Sequence, residues 1–270
     1  MSYLITKLQK HIHHKELLFF FVIKAKLLLL YFLLASCLVV GFIKYKYITP
    51  HTLAGCVLMP LIPCIIYFFQ RWHLKKKARL INENHLPEIY LTVLKQSHLL
   101  GLKKIPKVYM VNEQSTCLTI NSTLGKNSIV LPAFILDVLA EEDRGKEIVD
   151  FIIGHALGHV YLGHLTWWKK VLPSSFDFGS YHHTCEYNSD IVGYFLAPKE
   201  SKRAVLTISS LGEVVYEVDV EAYLRHNKKS RFIPFLHKLF SSHPSPAERV
   251  HALDKLAKSL LAEPENPVKV

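Results

Sequence analysis

His155 and His159 stand four residues apart in an apolar run, Gly154-His155-Ala156-Leu157-Gly158-His159. On a helix, positions i and i+4 share a face, so both imidazoles can reach one ion. The related pattern H-E-x-x-H uses a glutamate after the first histidine as the base that activates water at zinc. Here that position holds Ala156. The pair suits zinc but lacks the proton acceptor.

A catalytic zinc takes three protein ligands and keeps a fourth position open. The third ligand has to come from elsewhere. His164, five residues past His159, falls on a different side of a continuous helix. A metzincin layout is excluded, because Leu162 and Leu165 occupy the places of its Gly and third His. Glu186 is the better candidate. Asp190 follows one turn later, where a carboxylate can accept the second ring N–H of a metal-bound histidine and fix its tautomer.

These residues need elements to position them. Residues 147–164 predict a buried helix, since Ile148, Val149, Ile152, Ile153, Leu157 and Val160 surround most of it. Residues 186–196 predict a second helix, beginning at Glu186. Upstream, residues 107–111, 118–120 and 128–131 read as short strands, with Gly125-Lys126-Asn127 as a turn. Residues 133–139 read as helical. Residues 85–100 predict a helix with Pro87 in its first turn and Gly101 just past its end. Residues 213–224 and 232–240 are also assigned to helices. Ser245, Pro246 and Glu248 form an N-cap, N1 and N3 capping box for a last helix.

Half of the 270 residues are hydrophobic, and the mean hydropathy is +0.19. Residues 27–43 and 53–69 carry no charge, and each run approaches the length of a membrane span. Pro60 and Pro63 predict a kink in the second. Lys7, Lys10, Lys15, Lys24 and Lys26 precede the pair, and Arg71, Lys75, Lys76, Lys77 and Arg79 follow it. Only Lys44 and Lys46 lie between. The positive-inside rule then places both ends in the cytoplasm.

The net charge of +11 is assigned to the anionic lipid surface. No aromatic-plus-basic module points to nucleic acid. The five cysteines include no C-x-x-C, so neither a disulfide framework nor a thiolate zinc site is indicated.

With these pieces in order, the chain resembles the HtpX-like and CAAX-prenyl-endopeptidase family of membrane zinc metallopeptidases, which are gluzincins. The likeness rests on residues 127–131, the 154–164 segment, Cys185-Glu186-Tyr187-Asn188-Ser189-Asp190, and Ser242-His243-Pro244 running on to Arg249-Val250. The resemblance implies zinc on His155, His159 and Glu186, with Asp190 behind them. It implies that His243 stabilises the oxyanion, and that Arg249 pairs with Asp190 or Glu186. It further implies that Ser128, Ile129, Val130 and Leu131 form an edge strand on which a polypeptide substrate pairs in extended form.

Two departures stand out. Residues 160–185 are too short and polar for the further hairpin found in the HtpX-like branch, so two spans are expected. The glutamate that would relay a proton is Ala156, which removes general acid–base help worth about 10²–10⁴-fold. Because the other site residues remain, an engineered loss of glutamate is favoured over natural decay. The alternative is a natural pseudoprotease, a zinc-stabilised membrane scaffold that binds peptides.

The expected architecture is α+β: a mostly helical gluzincin domain with a small β-sheet, preceded by a transmembrane helical hairpin. Its parts are a basic tail (1–16), the hairpin (17–70), a juxtamembrane linker (71–104), the metallopeptidase domain (105–262) and a tail (263–270). The expected location is the cell inner membrane, multi-pass, with the peptidase domain and N-terminus cytoplasmic. Zn²⁺ is the expected cofactor. Polypeptide and lipid bilayer are the expected partners, nucleic acid is not, and self-association is left open.

Overall fold

The computed structural model describes residues 2–12, scattered positions between 22 and 72, and 76–112, 119–123, 126–141, 144–164, 180–211, 219–227 and 243–262. The expected hairpin (17–70) lies outside the described residues except at those scattered positions. Among the described residues, no helix is long and apolar enough to cross a membrane. The expected helix at 232–240 and the tail at 263–270 also lie outside them.

In chain order the elements are α1 (Ser2–His11), β1 (Arg79–Leu80), α2 (Pro87–Leu99), β2 (Lys107–Val111), β3 (Thr119–Thr123), β4 (Lys126–Pro132), α3 (Ile135–Ala140), α4 (Gly145–Tyr161), α5 (Ser180–Leu196), α6 (Ser201–Leu206), a π-helical turn (Thr207–Leu211), α7 (Val220–Asn227) and α8 (Pro246–Ala262). The result is mostly helical with a small sheet, as α+β requires.

The sheet order is β1-β2-β4-β3. β2 and β4 run parallel in register Lys107↔Ser128 to Val111↔Pro132. β3 and β4 form an antiparallel hairpin closed at Thr123↔Lys126, so Lys126 and Asn127 belong to the strand and not to the turn. β4 therefore sits inside the sheet with both edges hydrogen-bonded. This corrects the expectation of an edge strand at Ser128–Leu131: no backbone donors or acceptors are left there for a substrate. Ser128, Ile129, Val130 and Leu131 are all buried.

The helices hold the site. α4 is buried along nearly its whole length, from Ile148 through Gly158, which its all-round apolar sequence dictates. Its main neighbour is α5. The two backbones meet through small residues. A Cβ added at Gly158 would lie 3.0 Å from Ser189 Cα, and one at Gly154 3.1 Å from Gly193 Cα. α5 begins at Ser180, well before the predicted start, so Glu186 lies inside the helix.

Two segments before the expected metallopeptidase domain pack against its helices. α2 lies in the segment read as the juxtamembrane linker, and its Ile89 and Val93 are buried. Gln96 Nε2 donates to the Asp150 carbonyl of α4 at 2.9 Å, and Thr92 Oγ1 donates to Asp150 Oδ1 at 2.9 Å. Its ends follow the sequence: Pro87 in the first turn and Gly101 at φ +67° beyond the last. α1 lies in the segment read as a basic tail (1–16). It packs on α5, with Leu8 fully buried.

The capping box of α8 forms as predicted. Glu248 N–H donates to Ser245 Oγ and Ser245 N–H to Glu248 Oε2, both at 3.3 Å. It starts the helix that carries Arg249 into the core, where that side chain is 4% exposed.

Candidate metal centre

His155 and His159 leave α4 on the face turned to α5, and Glu186 meets them from α5. The separations are 3.2 Å for His155 Nε2 to His159 Nε2, 3.7 Å for His155 Nε2 to Glu186 Oε2 and 3.5 Å for His159 Nε2 to Glu186 Oε1. Tetrahedral zinc with bonds of about 2.0–2.1 Å needs donor separations of about 3.4 Å. The three distances straddle that edge, so these residues fit the ion and can hold a metal. The small-residue contact between α4 and α5 makes this spacing attainable, because bulkier side chains would hold the helices farther apart.

The support beneath the ligands is electrostatic. Asp190 Oδ1 lies 2.9 Å from His155 Nδ1. A neutral His155 with its proton on Nδ1 donates to Asp190 and turns Nε2, as a lone pair, toward the other ligands. Glu186 and Asp190 are like charges one helical turn apart, an unfavourable pairing on its own. Arg249 resolves it. Its Nε donates to Asp190 Oδ2 at 2.8 Å and its Nη2 to Oδ1 at 2.6 Å, while Nη1 lies 3.2 Å from Glu186 Oε2. The sequence left Arg249 a choice between Asp190 and Glu186; the guanidinium takes both.

Charge states follow. Burial alone raises the Asp190 carboxyl, but the Arg249 guanidinium and the His155 contact outweigh it and hold Asp190 below its ordinary value. Burial opposes Glu186 too; Arg249, His159 and His243 hold that carboxyl well below the usual range. Burial lowers His159 despite Glu186, which keeps the ring neutral, as a metal ligand has to be. Both carboxylates are thus ionised and His159 carries a free pair.

Ala156 is fully buried and offers no basic atom. His243 is exposed over 69% of its side chain, with Nδ1 3.5 Å from Glu186 Oε1. That contact with the carboxylate raises its pKa. His182, one turn before Glu186, is lowered by burial and by the His243 charge. It joins the cluster, and its spacing of four from Glu186 is the one signal of this in the sequence. Ser128, Ile129, Val130 and Leu131 lie in the sheet, in strand β4 that touches α4, and are not among these ligands.

A continuous helix would point His164 elsewhere, yet its Nδ1 lies 2.9 Å from His159 Nδ1. The helix does not continue: Gly163, at φ +68°, turns the chain back.

With this geometry in place, one comparison with known families bears on part of the chain. Residues 174–257 match the model of Peptidase family M48. The M48 family is one of zinc-dependent metallopeptidases. Its matched span contains Glu186, Asp190, His243 and Arg249, and the α4 histidines lie just before it. The M48 match and the donor triangle share Glu186, and the triangle adds the two α4 histidines from outside the matched span; together they support a metallopeptidase. No curated protein and no solved structure matched the chain.

Proposed function

We propose that the chain is a membrane-anchored zinc metalloendopeptidase of the HtpX-like kind, catalytically disabled by Ala156, which stands in place of an engineered-out glutamate. The observation that carries the reading is the triangle His155, His159 and Glu186, backed by Asp190 and Arg249 at hydrogen-bonding distance. Bound zinc would polarise the scissile carbonyl and lower the pKa of water toward neutrality. His155, His159 and Glu186 would hold it, and Asp190 and Arg249 would hold them. His243, at the exposed rim, would swing from Glu186 to the developing oxyanion.

Anchoring is supported by Phe32, Phe68 and Phe69, each more than 60% exposed, in the two apolar runs. Large aromatic surfaces left bare by protein call for a lipid cover. By this reading the substrates are membrane or misfolded proteins, and the metal site faces the cytoplasm. An extended polypeptide needs an open strand edge. Among the described residues the sheet ends in the two-residue β1 on one side and in β3 on the other, and β3, with five residues, is the longer edge.

The second reading is a peptide-binding pseudoprotease, in which Ala156, buried and without a basic atom, is native. Zinc content and casein cleavage, measured on this chain and on Ala156→Glu, separate the two. Zinc in both with cleavage only in the glutamate form supports the disabled enzyme. Zinc in both with cleavage in neither supports the scaffold, and absence of zinc overturns both.

A further inference from the structure

The last turn of α4 is closed by a Schellman motif. The His164 N–H donates to the His159 carbonyl at 3.0 Å, and the Gly163 N–H to the Val160 carbonyl at 3.2 Å. Gly163 makes the reversal at φ +68°, a conformation glycine adopts without steric cost. In this motif the side chains at the two outer positions commonly touch through apolar groups. Here those positions are His159 and His164. Their contact is the 2.9 Å Nδ1–Nδ1 approach, with the rings nearly perpendicular at 78°.

The direction of that hydrogen bond is forced by the site. His159 Nε2 faces His155 and Glu186 at 3.2 and 3.5 Å, so a ring that binds a cation there keeps its lone pair on Nε2. The single proton of the neutral ring then sits on Nδ1 and donates outward. The acceptor is His164 Nδ1, which places the His164 proton on its Nε2. His164 is 7% exposed, so bulk water does not take over the acceptor's role.

We propose that His164 is a positioning residue of the metal centre: by accepting from His159 Nδ1 it fixes the tautomer and angle of that ligand, as Asp190 does for His155. The two ligand histidines are thus backed differently, one by a carboxylate tied to Arg249, the other by a neutral imidazole delivered by a helix cap. The inference rests on the zinc-site reading above.

The test is zinc affinity of the full-length chain in detergent, by competition with a chelating dye, for the wild type, His164→Leu, His164→Asn and Gly163→Ala. Asparagine places its amide oxygen where Nδ1 stood; leucine fills similar space without an acceptor. Loss of such a partner costs about 10–100-fold in metal affinity. That loss is expected in His164→Leu and in Gly163→Ala, whose left-handed backbone strains against a Cβ, while His164→Asn stays near the wild type. Equal affinity in wild type and His164→Leu overturns the proposal. So does an equal loss in His164→Leu and His164→Asn, which would make the role one of packing. A wild type that binds no zinc overturns the site reading itself, a result distinct from either.

Discussion

Arg249 grips Asp190 with two parallel hydrogen bonds, Nε to Oδ2 at 2.8 Å and Nη2 to Oδ1 at 2.6 Å, and both side chains are almost fully buried. Removing one partner of such a pair leaves the other charge stranded. Arg249→Met should therefore cost about 3–5 kcal/mol. Zinc brings positive charge to the same carboxylates, so the loss should shrink when the metal is saturating. Urea unfolding with and without zinc checks this. An equal loss in both conditions would show that the metal does not compensate for the guanidinium.

Gly158 is a point of close approach between α4 and α5. A methyl there meets Ser189 Cα and Val192 Cβ at 3.0 Å, so the helices have to part. Overpacking costs about 1–3 kcal/mol, against a gain of about 1 kcal/mol in helix propensity on replacing glycine by alanine. Gly158→Ala should thus destabilise by up to about 2 kcal/mol and weaken zinc binding, because Glu186 rides on the displaced helix. Zinc titration alongside unfolding tests it; unchanged affinity would mean that the ligands follow the shift.

Acid should act on the surface pair of α6 and α8 in a defined window. Asp254 Oδ1 is 2.9 Å from Lys202 Nζ, and its Oδ2 is 2.7 Å from Lys258 Nζ. Hydrogen bonds from Lys258 and Lys202 lower its pKa to about 2, below the unfolded value of about 3.9. A depressed carboxyl stabilises the fold above the unfolded pKa and loses that contribution as pH falls through the folded one. Partial exposure limits the effect to less than about 1 kcal/mol. The stability difference between wild type and Asp254→Asn should be constant from pH 7 to 5, shrink as pH falls through about 2 and vanish only by about pH 1. A difference that does not shrink between pH 5 and about pH 1 would assign the effect to something other than this charge.

α1 packs on α5 with Leu8 fully buried, and the His11 ring lies 5.8 Å from that of Phe195. A short helix is marginal without such packing. Leu8→Asp should release α1 rather than unfold the domain. Hydrogen exchange would show lost protection across residues 2–12 with α4 unchanged. Loss of protection in α4 as well would make α1 an integral part of the core.

Much of the site was legible because its signals are local. The i, i+4 spacing of His155 and His159, the Glu186–Asp190 turn and the Ser245–Glu248 capping box depend on helix geometry, which a sequence expresses directly. The apolar runs of α4 and of the strands are legible for the same reason.

What the sequence could not give depends on how elements pair. Strand order is a choice among edges with nearly equal local preferences, and only the assembled sheet put Ser128–Leu131 in its interior. The role of His164 hung on one backbone angle at Gly163, which redirects a side chain that a straight helix would send elsewhere. Arg249 could have met either carboxylate; the crossing of α8 over α5 let it meet both. Local periodicity therefore set the ligands and their elements. The tertiary structure decided their second contacts, because distances between side chains on separate elements are fixed only when the backbones pack.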